Sequence, residues 1–122
     1  MEYTSTYKDE ENVAHVQISE EVITVIAGIA ATEVKGVISL AGNIAMELIA
    51  KVGIKMLSRG VKIHMMGDAV SVAVTLNIDS NFKIPAVSKA VQEKVSASVE
   101  TMTGLKVSEV DVMVENVTIR RA

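Results

Sequence analysis

Between Ala69 and Asp79 the chain alternates without a break. Val70, Val72, Val74, Leu76 and Ile78 are apolar, and Ser71, Ala73, Thr75, Asn77 and Asp79 between them are small or polar. A period of two over a whole strand length predicts a β-strand with one face buried and the other less so. Most of the apolar members are β-branched, which suits a pleated, packed surface. The other segments read as elements that pair with this strand or cover its apolar face. Val61, Ile63 and Met65 alternate with Lys62 and His64, and Met66-Gly67-Asp68 reads as a tight turn. The two strands therefore predict an antiparallel hairpin.

On the N-terminal side, Ala14 to Ile18 alternates as a short first strand, and Ser19 is placed to cap a helix that begins at Glu20. Val22, Ile26 and Ile29 have the spacing of one helical face, and Gly36 suits the residue just past the helix end. Gly28, in a segment without bulk, predicts close packing on the sheet. Val37 to Leu40 reads as a short apolar strand. Towards the C-terminus, Pro85 opens a second helix whose apolar face is Val87, Val91, Val95, Val99 and Met102, and Gly104 ends it. A last strand starts near Lys106 with Val110, Val112 and Val114 facing inward. The apolar set then shifts to Val117 and Ile119, which predicts a bulge near Glu115-Asn116.

Residues 41–60 follow another rule. Asn43, Glu47, Lys51, Lys55 and Arg59 recur every fourth position, and nearly everything between them is apolar. That spacing predicts a helix over residues 43–58 with a narrow polar stripe. Its apolar arc is wider than one sheet face needs. Ile44, Leu48 and Val52 are assigned to the sheet. Met46, Ile49, Ile54 and Met56 are the candidate interaction surface, since exposed contiguous apolar area marks interfaces.

The expected order is β-α-β-(α)-β-β-α-β: an α+β fold with a small mixed sheet and helices mainly on one face. Residues 1–12 are expected to form a flexible acidic tail and residues 13–119 a single domain. At 122 residues and 49% hydrophobic composition, a core is affordable. It must be built from Val, Ile, Ala, Leu and seven Met, because there is one Phe and no Trp. The longest apolar run, residues 22–31, is too short to span a bilayer. Four acidic residues against one lysine in residues 1–12 account for the whole net charge of −3. The neutral remainder gives no electrostatic reason to bind nucleic acid and little repulsion to oppose self-association.

Candidate chemistry is sparse. The absence of cysteine excludes disulfides and thiol catalysis and fits a reducing cytoplasm. His15 and His64 lie on the polar faces of their strands, and two histidines without a carboxylate make a poor metal site. There is no G-x-S-x-G elbow, no phosphate-binding G-x-x-x-x-G-K-[ST] loop and no G-x-G-x-x-G. A KH-like nucleic-acid module has a similar layout, but no two glycines here are three apart, and strand aromatics for RNA stacking are missing. The reading is of an interaction module, not an enzyme, with no catalytic residue, cofactor or metal assigned.

Three stretches carry a family resemblance. They are ISEEVITVIAGIAATEVKGV from Ile18 to Val37, Arg59-Gly60-Val61-Lys62-Ile63, and the run from Ile84-Pro85 through VQEKVSASVETMTGLKVSEVDVMVENV. In their co-occurrence and order they resemble the alkaline shock protein family of Gram-positive bacteria, over roughly residues 13–118. The resemblance implies a non-enzymatic cytoplasmic protein tied to cell-envelope and alkaline stress. The wide apolar arc of residues 43–58 and the neutral body predict self-association, at least a dimer, or docking to a partner. In such proteins that partner is a membrane anchor, which gives a peripheral membrane position, or a lipid-synthesis enzyme that the protein is suspected of regulating. Residues 41–57 depart from the resemblance by being more apolar and more helical than the polar loop expected there.

Overall fold

The structure, a computed structural model, describes residues 17–119. Every strand pairs with the long alternating one. The elements run α1 (Glu20–Thr32), β1 (Val37–Leu40), a 3-10 turn at Met46–Leu48, α2 (Ile54–Leu57), β2 (Val61–Met66), β3 (Ala69–Asp79), α3 (Ile84–Thr103) and β4 (Lys106–Thr118). Of the expected first strand, residues 14–16 lie outside the described residues, as do His15 and the acidic tail. Gln17 and Ile18 are described and belong to no strand.

β3 is the spine of a mixed sheet. The β2–β3 hairpin pairs Val61 with Val74 and Met66 with Ala69. β1 pairs antiparallel with Leu76 to Ile78, so β1 and β2 share β3 between them. β4 runs parallel to the whole of β3, from Ala69 against Lys106 to Asp79 against Thr118. The register of β4 slips between Leu76 and Asn77, where Val114 and Asn116 are their partners and Glu115 is the extra residue. That is the bulge expected from the shift in apolar parity.

α1 and α3 pack on each other and on the apolar face of the sheet, which buries Val70, Val72, Val74, Leu76 and Ile78. α3 contributes the row Val87, Val91, Val95 and Val99, but Met102 projects into solvent. In α1 the expected face is corrected. Ile23, Ala27, Ala30 and Ala31 are fully buried, Ile26 and Ile29 are half-buried, and Val22 is exposed. The small residues let the helix axis come close, so the deepest position goes to the side with least volume. A Cβ on Gly28 would lie 3.4 Å from Leu40 Cδ1 and 3.6 Å from Ile49 Cδ1. Thr24 and Thr32 are buried in the same helix because their hydroxyls donate to the carbonyls of Glu20 and Gly28, at 2.7 and 2.8 Å. Ser19 caps α1 as expected, its Oγ accepting from the Val22 amide at 3.2 Å.

Gly36 carries φ +101°, and a Cβ there would meet Val87 Cγ2 at 2.8 Å and Phe82 Cγ at 2.9 Å. Only glycine satisfies both the left-handed backbone and the contact with α3.

Candidate interaction surfaces

The helix expected over residues 43–58 does not form. The chain turns at Gly42 and Asn43, both at positive φ (85° and 60°), and makes one 3-10 turn at Met46–Leu48. It then extends at Gly53 before the single turn of α2. Asparagine is among the residues that tolerate the left-handed region, and glycine at residue 53 lowers helix propensity by about 1 kcal/mol. Burial, not the polar spacing of four, decides the path. Ile44, Ile49 and Leu57 turn inward as three separate anchors, and the latter two pack at the Gly28 side of α1.

Of the four nominated residues, Met46 (43% exposed), Ile54 (38%) and Met56 (42%) stay at the surface, joined by Leu48. Ile49 is only 1% exposed and is part of the core, so its assignment to the surface is corrected. Leu48, assigned to the sheet from its spacing, trades places with it. The irregular path rotates each residue independently of helical phase. The result is a shoulder of chain that carries four exposed apolar side chains and is tied to the core by three buried ones. Ile54 also edges a shallow depression with Glu20, Glu21, Thr24, Lys62 and Ile63.

Gly60 closes this segment against the sheet. Its carbonyl accepts from the Thr75 amide at 2.9 Å. A Cβ on it would lie 2.8 Å from Leu40 Cβ and 3.1 Å from the Ala41 nitrogen.

The second surface is the face of the sheet that no helix among the described residues covers. Sequence reasoning did not single it out. The hairpin register sets Lys62 beside Ala73 and His64 beside Ser71, and the parallel register sets Ala73 beside Asp111 and Ser71 beside Glu109. Basic groups thus flank small central residues on one side and acidic groups on the other. The alternation of β2 and β3 held half of this signal. The other half needed the pairing of β4, which sequence periodicity does not specify. Further along, Asn77 Nδ2 donates to Ser39 Oγ at 2.9 Å, and Asn116 Nδ2 donates to Asn77 Oδ1 at 3.3 Å. This chain of side-chain amides satisfies the buried polar end of the face.

A third feature is an open groove of about 700 Å3 between α3 and β4. Its walls are linked by Gln92 Nε2 donating to the Val110 carbonyl at 3.0 Å and Glu100 Oε2 accepting from the Val107 amide at 2.9 Å. These bonds use the groove's polar groups to tie the helix to the edge strand. Among the described residues no three His, Cys, Asp or Glu side chains are placed to hold a metal ion. Nor is any helix among them long and apolar enough to cross a membrane.

Comparison with known proteins gives this arrangement a family. A family model for the alkaline shock protein 23 family, described by a cell envelope-related function, matches residues 8–119. The chain belongs to that family. Among its relatives, YqhY of Bacillus subtilis (strain 168) is 34% identical over 104 residues, covering 85% of this chain and 77% of that protein. Spy1614 of Streptococcus pyogenes serotype M6 is 30% identical over 109 residues, covering 85% of this chain and 88% of that protein. Among solved structures, a MamM CTD variant in a copper form superposes with a TM-score of 0.51 at 14% identity, covering 80% of this chain and 98% of that one. At that identity the likeness concerns the fold alone.

Proposed function

We propose that this chain is a non-enzymatic scaffold protein of the cell-envelope stress response, working in the cytoplasm by self-association and by docking a partner protein. The family's cell envelope-related description supports the setting. The observation that carries the reading is the apolar shoulder. Met46, Leu48, Ile54 and Met56 remain exposed on a segment that Ile44, Ile49 and Leu57 fix to the core. Because buried anchors fix the backbone that carries these four side chains, docking need not order that backbone, which favours a pre-formed interface. The partner expected is a protein presenting a complementary apolar surface, held at the membrane or acting beside it.

Affinity capture from the native cell tests this. The intact chain is compared with an Ile54→Glu, Met56→Glu double variant whose melting curve confirms that it folds. The expected result is a protein associated with the envelope that is retained by the intact chain and lost by the variant. An unchanged set of retained proteins would overturn the assignment of the shoulder.

A further inference from the structure

We propose that the helix-free face of the sheet binds the same face of a second copy of this chain, about a two-fold axis parallel to β3. This rests on the self-association reading above and supplies its surface. Both long helices lie on the other face, so among the described residues Ser71, Ala73 and Thr75 form a floor of small side chains that no element covers. A floor that low lets a second sheet approach to the spacing of about 10 Å found in aligned sheet packing.

The charges choose the partner and its orientation. Lys62 and His64 stand on the β2 flank, and Asp111 and Glu109 on the β4 flank of the same cross-strand rows. All four are exposed. Two strand spacings, about 9–10 Å, separate the flanks. Two identical faces that meet head-on must be related by an axis lying in the plane between them. An axis perpendicular to the strands would set each flank against itself, lysine on lysine. An axis parallel to β3 exchanges the flanks, so Lys62 meets the partner's Asp111 and His64 meets the partner's Glu109. The face is therefore self-complementary in one orientation and repulsive in the other, as an isologous contact requires.

These groups are also free to make the contact. Among the described residues the ion pair formed is Lys94 of α3 with Glu33 at the end of α1, at 3.5 Å, and it uses none of these four groups. Lys62 Nζ gives one hydrogen bond, to the Ser58 carbonyl at 3.2 Å, and keeps two donors. Met113, 65% exposed beside Thr75, supplies adaptable apolar area on the acidic flank. Three strands along an 11-residue β3 give a footprint of roughly 500 Å2 per copy at about 3.3 Å per residue. That sits at the weak end of specific interfaces, so the dimer is expected to be reversible and concentration-dependent.

Sedimentation velocity over a concentration series decides it, using the intact chain, Lys62→Glu, Asp111→Lys and the two combined, with thermal melting to confirm folding. The expected result is a reversible dimer for the intact chain. Each single reversal should weaken it at least about tenfold, because it creates like-charge contacts twice per dimer, and the combined exchange should restore it. A dimer indifferent to the reversals, or an exchange that restores nothing, would overturn the proposal. If that dimer instead dissociates with Ile54→Glu, the shoulder and not the sheet mediates association, and the self-association reading survives. An intact chain that stays monomeric throughout would overturn both.

Discussion

β3 and residues 41–60 are both rich in apolar residues, and they use that character in opposite ways. In β3 the large apolar side chains Val70, Val72, Val74, Leu76 and Ile78 turn to the same side and are buried. In residues 41–60, Ile44, Ile49 and Leu57 are buried while Met46, Leu48, Ile54 and Met56 are not. The difference lies in what each is paired to. β3 has a strand along each edge and two helices on its apolar face, so its backbone bonds and its side chains demand the same geometry. Residues 41–60 are tied to β3 at their two ends, by the bonds of Ala41 and Gly60 to Thr75, and in between have an isolated bridge between Leu40 and Ile44 and two single turns. Their path is set by three anchors, with Val52 half-buried against the core, and Met46, Leu48, Ile54 and Met56 are left exposed. One region is built to hold the fold, the other to present apolar surface.

Substitutions should separate the two roles. The largest effect is expected at Val72, whose replacement by Asp puts an unpaired charge under α1 and α3. The cost, more than about 4 kcal/mol, approaches the whole stability of a small domain. Circular dichroism should find Val72→Asp unfolded, and a cooperative melt would contradict the role of β3. Ile49→Ala comes next, at about 2–4 kcal/mol in urea titration, because it opens a cavity beside Gly28 between Leu40 and Leu57. A loss well below that would mean the shoulder is not held from beneath. Gly60→Ala should cost about 1–3 kcal/mol, since the added methyl overlaps Leu40 Cβ at the joint between the two regions. Met56→Glu should change stability by no more than about 0.5 kcal/mol. A large change at Met56 would blur the distinction between anchors and surface.

The same contrast explains what the sequence made legible. β3, the hairpin, α3 and β4 were readable because period, turn residues and caps agreed. Even the extra residue at Glu115 showed, because a bulge shifts the parity of every apolar position after it. In residues 41–60 the polar spacing of four matched a helix by itself, while Gly42, Asn43 and Gly53 broke the backbone where that spacing continued. Once the helix is gone, its phase no longer says which residue is buried, and Ile49 and Leu48 trade roles. In α1 side-chain bulk is a poor mark of burial, because Ala27, Gly28 and Ala31 admit the closest contact while Val22 is exposed. The charged rows of the open face were beyond reach for another reason. Lys62 and Asp111 are brought to the two sides of Ala73 only by strand order.

The central claim is that the exposed apolar shoulder is where this protein meets its partner. The most direct measurement is photo-crosslinking in the native cell from a reactive amino acid placed at Met56, with Lys89 on the exposed side of α3 as the comparison position. A discrete crosslinked partner from position 56 that is absent from position 89 and lost with Ile54→Glu is the predicted result. The same products from both positions would contradict it.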